Sequence, residues 1–388
     1  MQLKLSKKSS SETDEAAEVT PVSESAAGLV EKFNQRPNLE GITGVELSST
    51  RIAGATVSGG RVKTASYVSL DPNVVADGEI LDTDAAGAAL AELLDASGLA
   101  KRVRIGVASP RVVIRQFQTP VIADRKELDA AIRFQAADHL PMAVDEAILD
   151  YQVVGVREPK EAGEQPKFEV VLTAASQGLV EKIIAVATSA GVKLESIDLS
   201  AFGLIRAFYP GDAAAGETTG YVHVGDTVNV TLAEGKLCKF TRATPSGIYA
   251  AATRLMESAM LTREHAEMWF EHVGLTRPIE TIQGEAAIVS GAREELLAMV
   301  NQLGTDITAA VDFNNAQPGA TRVTRLILVG PATRYEGLAD GLAQRTGLPV
   351  TVSAPLGALD SSDIDSPDID LTRIAIAAGL ALEDTVIA

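Results

Sequence analysis

The sequence predicts a two-lobed α/β fold with a crevice between the lobes. Three segments carry this prediction, because each reads as a strand that ends in a turn of small residues: GVELSST at 44–50, YVHVGDT at 221–227 and LILVGPA at 326–332. The first two turns begin hairpins in different halves of the chain. Small residues let backbone amides approach a phosphate closely, so the pattern is typical of a nucleotide cleft between two copies of one sheet.

Bulk composition narrows the function classes. A chain of 388 residues with 46% hydrophobic and 22% charged residues is long and apolar enough for two or more cores. Its net charge of −18 argues against nucleic-acid binding, which needs a cationic face. Cys238 is the only cysteine, which excludes a disulfide framework and fits a reducing compartment. The four histidines lack metal-ligand spacing, so no metal site is expected.

The N-terminal part is predicted to begin with a tail and continue into a sheet. Residues 1–40 are expected to be disordered, apart from a short helix over 26–35 that packs on the body or docks elsewhere. Three strands, a helix over 84–97 that ends at Gly98, and a buried strand over 103–108 then make a β-β-β-α-β unit. A helix over 124–139 and the segments after it are interpreted as an α+β module inserted into the first lobe.

The second half repeats the hairpin-led pattern from residue 220 and adds a helical subdomain. Ser246 is predicted to cap the first of these helices, and the helical run is expected to break near 260–262. The predicted domains are a tail over 1–40, the first lobe over 41–119, the inserted subdomain over 120–198, a return helix over 199–218, the second lobe over 219–246, a mostly helical subdomain over 247–320, and the rest of the second lobe with a closing helix over 321–388.

The middle third carries a specific resemblance. The segment ELDAAIRFQAADHLP at 127–141, followed by DYQVVG at 150–155, resembles the type IV pilus assembly protein PilM family, actin-like relatives of the cell-division protein FtsA. It is similar to the family's helix that ends in an aromatic residue or His, then Ile or Leu, then Pro, before a DYQV strand. Weaker matches bring the similarity to roughly residues 41–385; they lie at 170–175, 180–192, 198–207, 337–350 and 375–382.

The resemblance implies a fold, a place and partners. The implied fold is the actin/hexokinase-like, ribonuclease H-like two-lobed α/β fold with a small α+β inserted subdomain. The implied role is that of a cytoplasmic scaffold in a type IV pilus or related type II secretion complex. Such a scaffold binds the N-terminal cytoplasmic tail of a PilN-like membrane protein beside the inserted subdomain, and it also couples to inner-membrane platform components and assembly ATPases. Direct membrane insertion is not expected, and self-association is left open.

All three turns depart from the family pattern. The first, close to DIGSSSVK in the family, reads ELSSTRIA at 46–53 and so lacks the Asp, the Gly and the Lys. The second has His223 where the family has the Asp of DIG. The third, usually GGG, has Pro331 after Gly330, and proline has no amide hydrogen to donate.

ATP with Mg²⁺ is the cofactor that the resemblance implies, and the altered acids make its hydrolysis improbable. Nucleotide binding as a structural clamp is left open. Ordinary explanations compete at every position: a strand-end acid, a turn residue that caps its own backbone, or a plain hairpin turn. The candidate nucleotide-binding residues are Glu46, Ser48, Ser49, Thr50, Gly225, Asp226, Thr227 and Gly330.

A groove for the partner tail is expected along the inserted module, where an extended peptide gains strand-edge hydrogen bonds and side-chain pockets. Burial in the core is the competing interpretation for its apolar members. The candidates are Ile114, Arg115, Phe117, Arg133, Phe134, Leu140, Tyr151 and Val153. Two other functions are weighed: an active ATPase or small-molecule kinase of the same fold, and a membrane-attached filament like FtsA, for which the acidic end over 383–388 is too short.

Overall fold

The structure is a computed structural model that describes residues 25–34, 39, 41–159, 164–211, 216–317, 320–364, 366–367 and 369–382. Its strands are β1 (Thr43–Leu47), β2 (Arg51–Ser58), β3 (Arg61–Ser69), β4 (Val75–Ala76), β5 (Glu79–Ile80), β6 (Arg102–Val107), β7 (Val112–Pro120), β8 (Ala147–Arg157), β9 (Lys167–Ser176), β10 (Lys193–Leu199), β11 (Thr218–Val224), β12 (Val228–Glu234), β13 (Leu237–Thr244), β14 (Val323–Val329) and β15 (Val350–Val352). Its helices are α1 (Ala26–Phe33), α2 (Thr83–Ser97), α3 (Arg125–His139), α4 (Gln177–Ser189), α5 (Ser200–Phe208), α6 (Ile248–Ala259), α7 (Arg263–Val273), α8 (Ala286–Asn315), α9 (Leu338–Thr346) and α10 (Ala375–Ala381).

Two five-stranded sheets form the centres of two lobes and share one topology. The first has the order β3-β2-β1-β6-β10, and the second has the order β13-β12-β11-β14-β15. In each, the first three strands are antiparallel and the last two continue in parallel with the central strand. The two hairpins at 43–58 and 218–234 are therefore equivalent elements, as the repeated sequence pattern predicts.

The inserted module is a three-stranded sheet, β7-β9-β8, with α3 packed on it. Its limits differ from the predicted 120–198. The strand β7 begins the module at Val112, because it pairs along its whole length with β9. The strand β10 instead pairs in parallel with β6, from Lys193 opposite Arg102 onward, and so belongs to the sheet of the first lobe. Hydrogen bonding, which sequence pattern alone does not reveal, decides both limits.

The helix α1 packs on the inserted module. Leu29 and Phe33 are buried on its inner face and join the module's core, where Phe33 meets Phe168 edge to face at 6.1 Å. The side-chain amide of Asn34 donates to the Val153 carbonyl at 2.6 Å. Of the two sequence alternatives for this helix, packing on the body is the one observed. The remaining part of the predicted tail lies outside the described residues except residue 39.

The start of α6 differs from expectation. Gly247, not Ser246, occupies the N-cap position, and no side chain caps the helix. The Ser246 hydroxyl contacts Thr244 Oγ1 at 2.8 Å instead. A Cβ on Gly247 would lie 2.2 Å from the Gly225 carbonyl oxygen, so only glycine lets the helix approach that turn. The predicted break between α6 and α7 is confirmed, with Met260 in the left-handed region at φ 52°.

A buried charge cluster fixes the closing helix α10 to the first lobe. Arg104 donates to the Leu380 carbonyl at 2.9 Å, and Arg206 donates to the Gly379 carbonyl at 3.0 Å. Asp198 balances both cations, at 2.5 Å from Arg206 Nη2. Carbonyl groups in the last turn of a helix lack the usual hydrogen-bond donor from the next turn, and here the two arginines donate to them. Within the described ranges, no helix is long and apolar enough to cross a membrane.

Candidate functional site: an interlobe crevice closed by a carboxylate

Two equivalent turns meet at the crevice between the lobes. The first joins β1 to β2 and closes with the Ser48 amide donating to the Arg51 carbonyl at 2.9 Å. The second joins β11 to β12 and closes with the Gly225 amide donating to the Thr227 carbonyl at 3.2 Å. Because the two sheets share one topology, these turns are the equivalent ends of the two lobes. Ser48 and Thr50 of the first turn thus lie beside Asp226 of the second.

Asp226 of the second lobe accepts hydrogen bonds from the first. Its Oδ2 atom accepts from Ser48 Oγ at 2.9 Å, from the Thr50 amide at 3.2 Å and from Thr50 Oγ1 at 2.5 Å. All of these groups are buried. Burial opposes the charged carboxylate, but Arg51 and the Thr50 and Ser48 hydroxyls outweigh it and lower the pKa of Asp226 below its ordinary value. The carboxylate is therefore ionised, and its Oδ2 atom is held by the opposite lobe.

Arg51 supplies the matching cation. Its Nη1 atom lies 3.3 Å from Asp226 Oδ2, and its side chain is only 4% exposed. Its Nε and Nη2 atoms have no hydrogen-bond partner among the described protein atoms, although both are buried. The Ser48 and Thr50 hydroxyls add hydrogen bonds on the carboxylate side of this buried ion pair. Removal of either charged partner would leave the other as an uncompensated buried charge.

His223 fills the space between the small-residue turns. A Cβ on Gly330, at φ 92°, would lie 2.8 Å from His223 Cδ2, and a Cβ on Gly225 would lie 2.8 Å from its Cε1. The His223 imidazole therefore fills the space that the absence of a side chain at Gly225 and Gly330 leaves open. Burial and the neighbouring Arg51 lower the pKa of His223 to about 3, so the ring is neutral at physiological pH.

Glu46 is the penultimate residue of β1 and lies beside this cluster. Its side chain is buried, and burial raises its pKa to about 7, with Asp226 acting in the same direction and Arg51 against it. The carboxyl group is therefore substantially protonated near neutral pH.

The donor set does not fit ATP with Mg²⁺. The groups at 48–50 that would hold phosphate oxygens already donate to Asp226, and a phosphate placed there would meet that carboxylate at close range. We therefore derive no chemistry through a nucleotide in this crevice.

A second set of contacts joins the lobes next to the crevice. Arg373, just before α10, lies 2.6 Å from Glu267 of α7 and 3.1 Å from Asp370. Arg334, which follows the third turn, lies 2.7 Å from Asp370 and 2.7 Å from Glu271. Sequence analysis missed Arg51 and this set. Arg51 and Asp226 are 175 residues apart, and Arg373 and Glu267 are 106 apart, so neither pair leaves a local signal in the sequence. Only the equivalence of the two hairpins pointed to the turn itself.

Comparison with known families settles the membership. A sequence profile of the family described as "Type IV pilus assembly protein PilM" matches residues 44–385. The chain belongs to the PilM family. This match spans almost all of the described structure and agrees with the resemblance carried by residues 127–155.

Solved structures agree on the actin-like fold. A PilM–PilN type IV pilus biogenesis complex is similar at a TM-score of 0.70 and 20% identity, over 88% of this chain and 97% of that one. The ethanolamine utilization protein EutJ from Carboxydothermus hydrogenoformans has a TM-score of 0.50 and 13% identity, over 92% of this chain and 99% of that one. A MamK double helical filament has a TM-score of 0.51 and 12% identity, over 87% of this chain and 97% of that one. At these identities the likeness shows the fold alone.

Three of the residues predicted for partner binding belong to the core. Ile114, Tyr151 and Val153 are at most 8% exposed. Tyr151 also donates to Asp129 at 2.5 Å, and its ring contacts the Arg125 guanidinium. These three side chains do not line an open groove, because the sheets and helices of this PilM-family chain cover them.

The other five predicted residues lie along the accessible side of the module. Phe117 stacks on His139 at 5.1 Å, and Arg115 donates to the His139 carbonyl at 2.8 Å. Leu140 is partly buried at the same end of α3. Phe134 is 80% exposed, and Arg133 beside it contacts Asp145 at 3.0 Å. A shallow cavity of about 430 Å³ surrounds Phe134; it is lined by Ala130, Arg133, Phe134, Ala137, Asp138 and Val144.

Proposed function

We propose that this PilM-family chain is a scaffold of a type IV pilus inner-membrane complex that binds the N-terminal cytoplasmic tail of a PilN-like membrane protein. Family membership supports the pilus role, and the similar PilM–PilN complex supports the choice of partner. The proposal places the scaffold at the inner face of the membrane through its partner. We further propose that the scaffold hydrolyses no ATP, since Asp226 engages the phosphate-type turn.

The exposed face of α3 is the proposed docking surface. Phe134 is a large aromatic side chain with 80% exposure, set in a shallow apolar cavity, and such anchors carry much of the binding energy of interfaces. The charge of the chain favours the same partner. Cytoplasmic segments next to membrane spans carry an excess of Lys and Arg, and a net charge of −18 attracts them.

Binding of the tail peptide tests the proposal. The purified chain is titrated with a labelled peptide of the first dozen or so residues of a PilN-like protein from the same organism, and affinity is measured by fluorescence anisotropy. Phe134→Ala is expected to weaken binding at least tenfold, as loss of an interface anchor does. Leu297→Ala, an exposed apolar change on α8 in the other lobe, is the matched control and should bind like the wild type. Co-purification that persists after removal of the tail would refute the tail as the ligand.

The kinase alternative receives no support from the crevice. Phosphoryl transfer needs a metal-holding or water-orienting acid free to act. Glu46 is buried with a raised pKa, and Asp226 is paired. Negligible ATP turnover is therefore expected from the purified protein. Turnover that disappears in Glu46→Ala would overturn this part of the proposal.

A further inference from the structure

The first turn of the crevice is built as an anion-binding site. Two hydroxyls and one backbone amide, from Ser48 and Thr50, converge on a single oxygen atom, and the Arg51 guanidinium adds a positive charge. Convergent amides and hydroxyls beside a cation are the groups that bind phosphate and carboxylate in proteins. What they hold is a carboxylate of the same chain, 176 residues away from Thr50.

We propose that Asp226 is a built-in anion, which occupies from the second lobe the anion site formed by Ser48, Thr50 and Arg51, and so holds the two lobes closed without any nucleotide. In a nucleotide-dependent clamp, a bound phosphate bridges the two turns and its loss lets them separate. Here one side chain provides that bridge permanently. This inference is independent of the docking role proposed for α3.

The bridge between Asp226 and the first turn is a buried contact within the fold and not a surface ion pair. Asp226, Ser48, Thr50 and Arg51 are each no more than 4% exposed. An exposed ion pair contributes little because water screens it, whereas removal of one partner from a buried pair leaves an uncompensated charge. Loss of the Asp226 carboxylate would leave the buried Arg51 charge uncompensated, and the Nε and Nη2 atoms of Arg51 already lack partners among the described protein atoms.

The surrounding residues are consistent with permanent closure. His223 occupies the space beside Gly225 and Gly330, so the third turn also packs against a protein side chain. The Arg373 to Glu267 and Arg334 to Asp370 contacts join the same two lobes next to the bridge. A scaffold held in one state presents a constant docking surface, and the partner's affinity would not vary with the cellular ATP level.

Chemical rescue tests the built-in anion. Asp226→Ala removes the carboxylate and leaves its binding site, and formate is the small anion that matches the missing group. The thermal midpoint of the variant is expected to fall and then to rise saturably with sodium formate, by about 2 °C at a tenfold excess over Kd. Sodium chloride at equal ionic strength is the reference. Wild type should show no rise beyond that reference, since its site is filled.

Two variants keep this test decisive. Asp306→Ala removes a carboxylate that is also buried but contacts Ser246 and Gln302, so it should lower the midpoint without any formate response. Adding Arg51→Met to Asp226→Ala should abolish the rescue. A folded Asp226→Ala protein that does not respond to formate, or a response equal to that of Asp306→Ala, would overturn the proposal.

Hydrogen exchange gives a second readout that does not require Asp226→Ala to fold. In wild type, the Thr50 amide donates to Asp226 and should be protected in the absence of nucleotide. Asp226→Asn, which keeps the shape and loses the charge, should raise exchange in the segment 46–52 at least tenfold. Exchange in wild type that slows on addition of ATP with Mg²⁺ would contradict the proposal.

Discussion

Replacing Glu46 by glutamine should change how stability depends on pH. The carboxyl group is buried at the end of β1, and burial raises its pKa from 4.5 to about 7. Between these values the unfolded chain releases the proton and the folded chain keeps it, so folded wild type loses stability as the pH rises through this window. Below about pH 4.5 the full stability is present.

The size of the effect follows from the same values. A pKa that rises from 4.5 to about 7 corresponds to about 3 kcal/mol, at 1.36 kcal/mol for each tenfold change in proton affinity. Glutamine does not ionise, so the Glu46→Gln protein does not lose this stability as the pH rises. The free energy of unfolding of Glu46→Gln minus that of wild type should therefore increase by about 3 kcal/mol from about pH 4 to about pH 8. In the folded protein the pKa of His223 is about 3 and that of Asp226 lies below its ordinary value, so neither group changes its charge between about pH 4 and about pH 8. In the unfolded chain these two groups titrate alike in both proteins.

Urea unfolding at a series of pH values measures this difference. Far-UV circular dichroism follows the whole chain, and the fluorescence of Trp269, the only tryptophan, follows the helical subdomain. Glu92→Gln makes the same chemical change at an exposed position of α2 and is the matched control. A flat or falling difference for Glu46→Gln would refute the assignment of Glu46 as a protonated, buried acid.

Three further predictions concern other parts of the molecule. Asp198→Asn should lower the free energy of unfolding by about 3–5 kcal/mol in denaturant titration, because it removes the buried carboxylate that pairs with Arg206 and Arg104; a loss under 1 kcal/mol would contradict this. Gly330→Ala should cost about 1–3 kcal/mol in the same assay, since φ is 92° and the new methyl group meets His223; an unchanged midpoint would count against that packing. Burial raises the pKa of Cys238 to about 12, so a thiol reagent should label it only on unfolding, and rapid labelling of native protein would contradict its buried place.

Regular elements followed from the sequence because their signals are local. The periodicity of α3, the Gly98 end of α2 and the repeated hairpins each depend on residues close together in the chain, and their limits were correct to within a few residues. The resemblance carried by residues 127–155 pointed to the actin-like fold, which the comparisons confirm.

Long-range contacts were the part that the sequence did not reveal. The sequence pattern predicted that Ser48, Thr50 and Asp226 lie in one crevice, and it predicted that all three bind a ligand. Nothing in the sequence indicated that one binds the other two, or that Arg51 completes the set. The limits of the inserted module failed for the same reason, since only strand pairing assigns β10 to the first lobe.

Binding of ATP tests the central claim most directly. Equilibrium dialysis of labelled ATP with Mg²⁺ against the wild-type chain and Asp226→Ala separates a filled anion site from an available one. We expect wild type to retain no nucleotide at millimolar concentrations, because Asp226 holds the Ser48, Thr50 and Arg51 groups. Saturable retention of one ATP per wild-type chain, lost or unchanged in Asp226→Ala, would contradict the account.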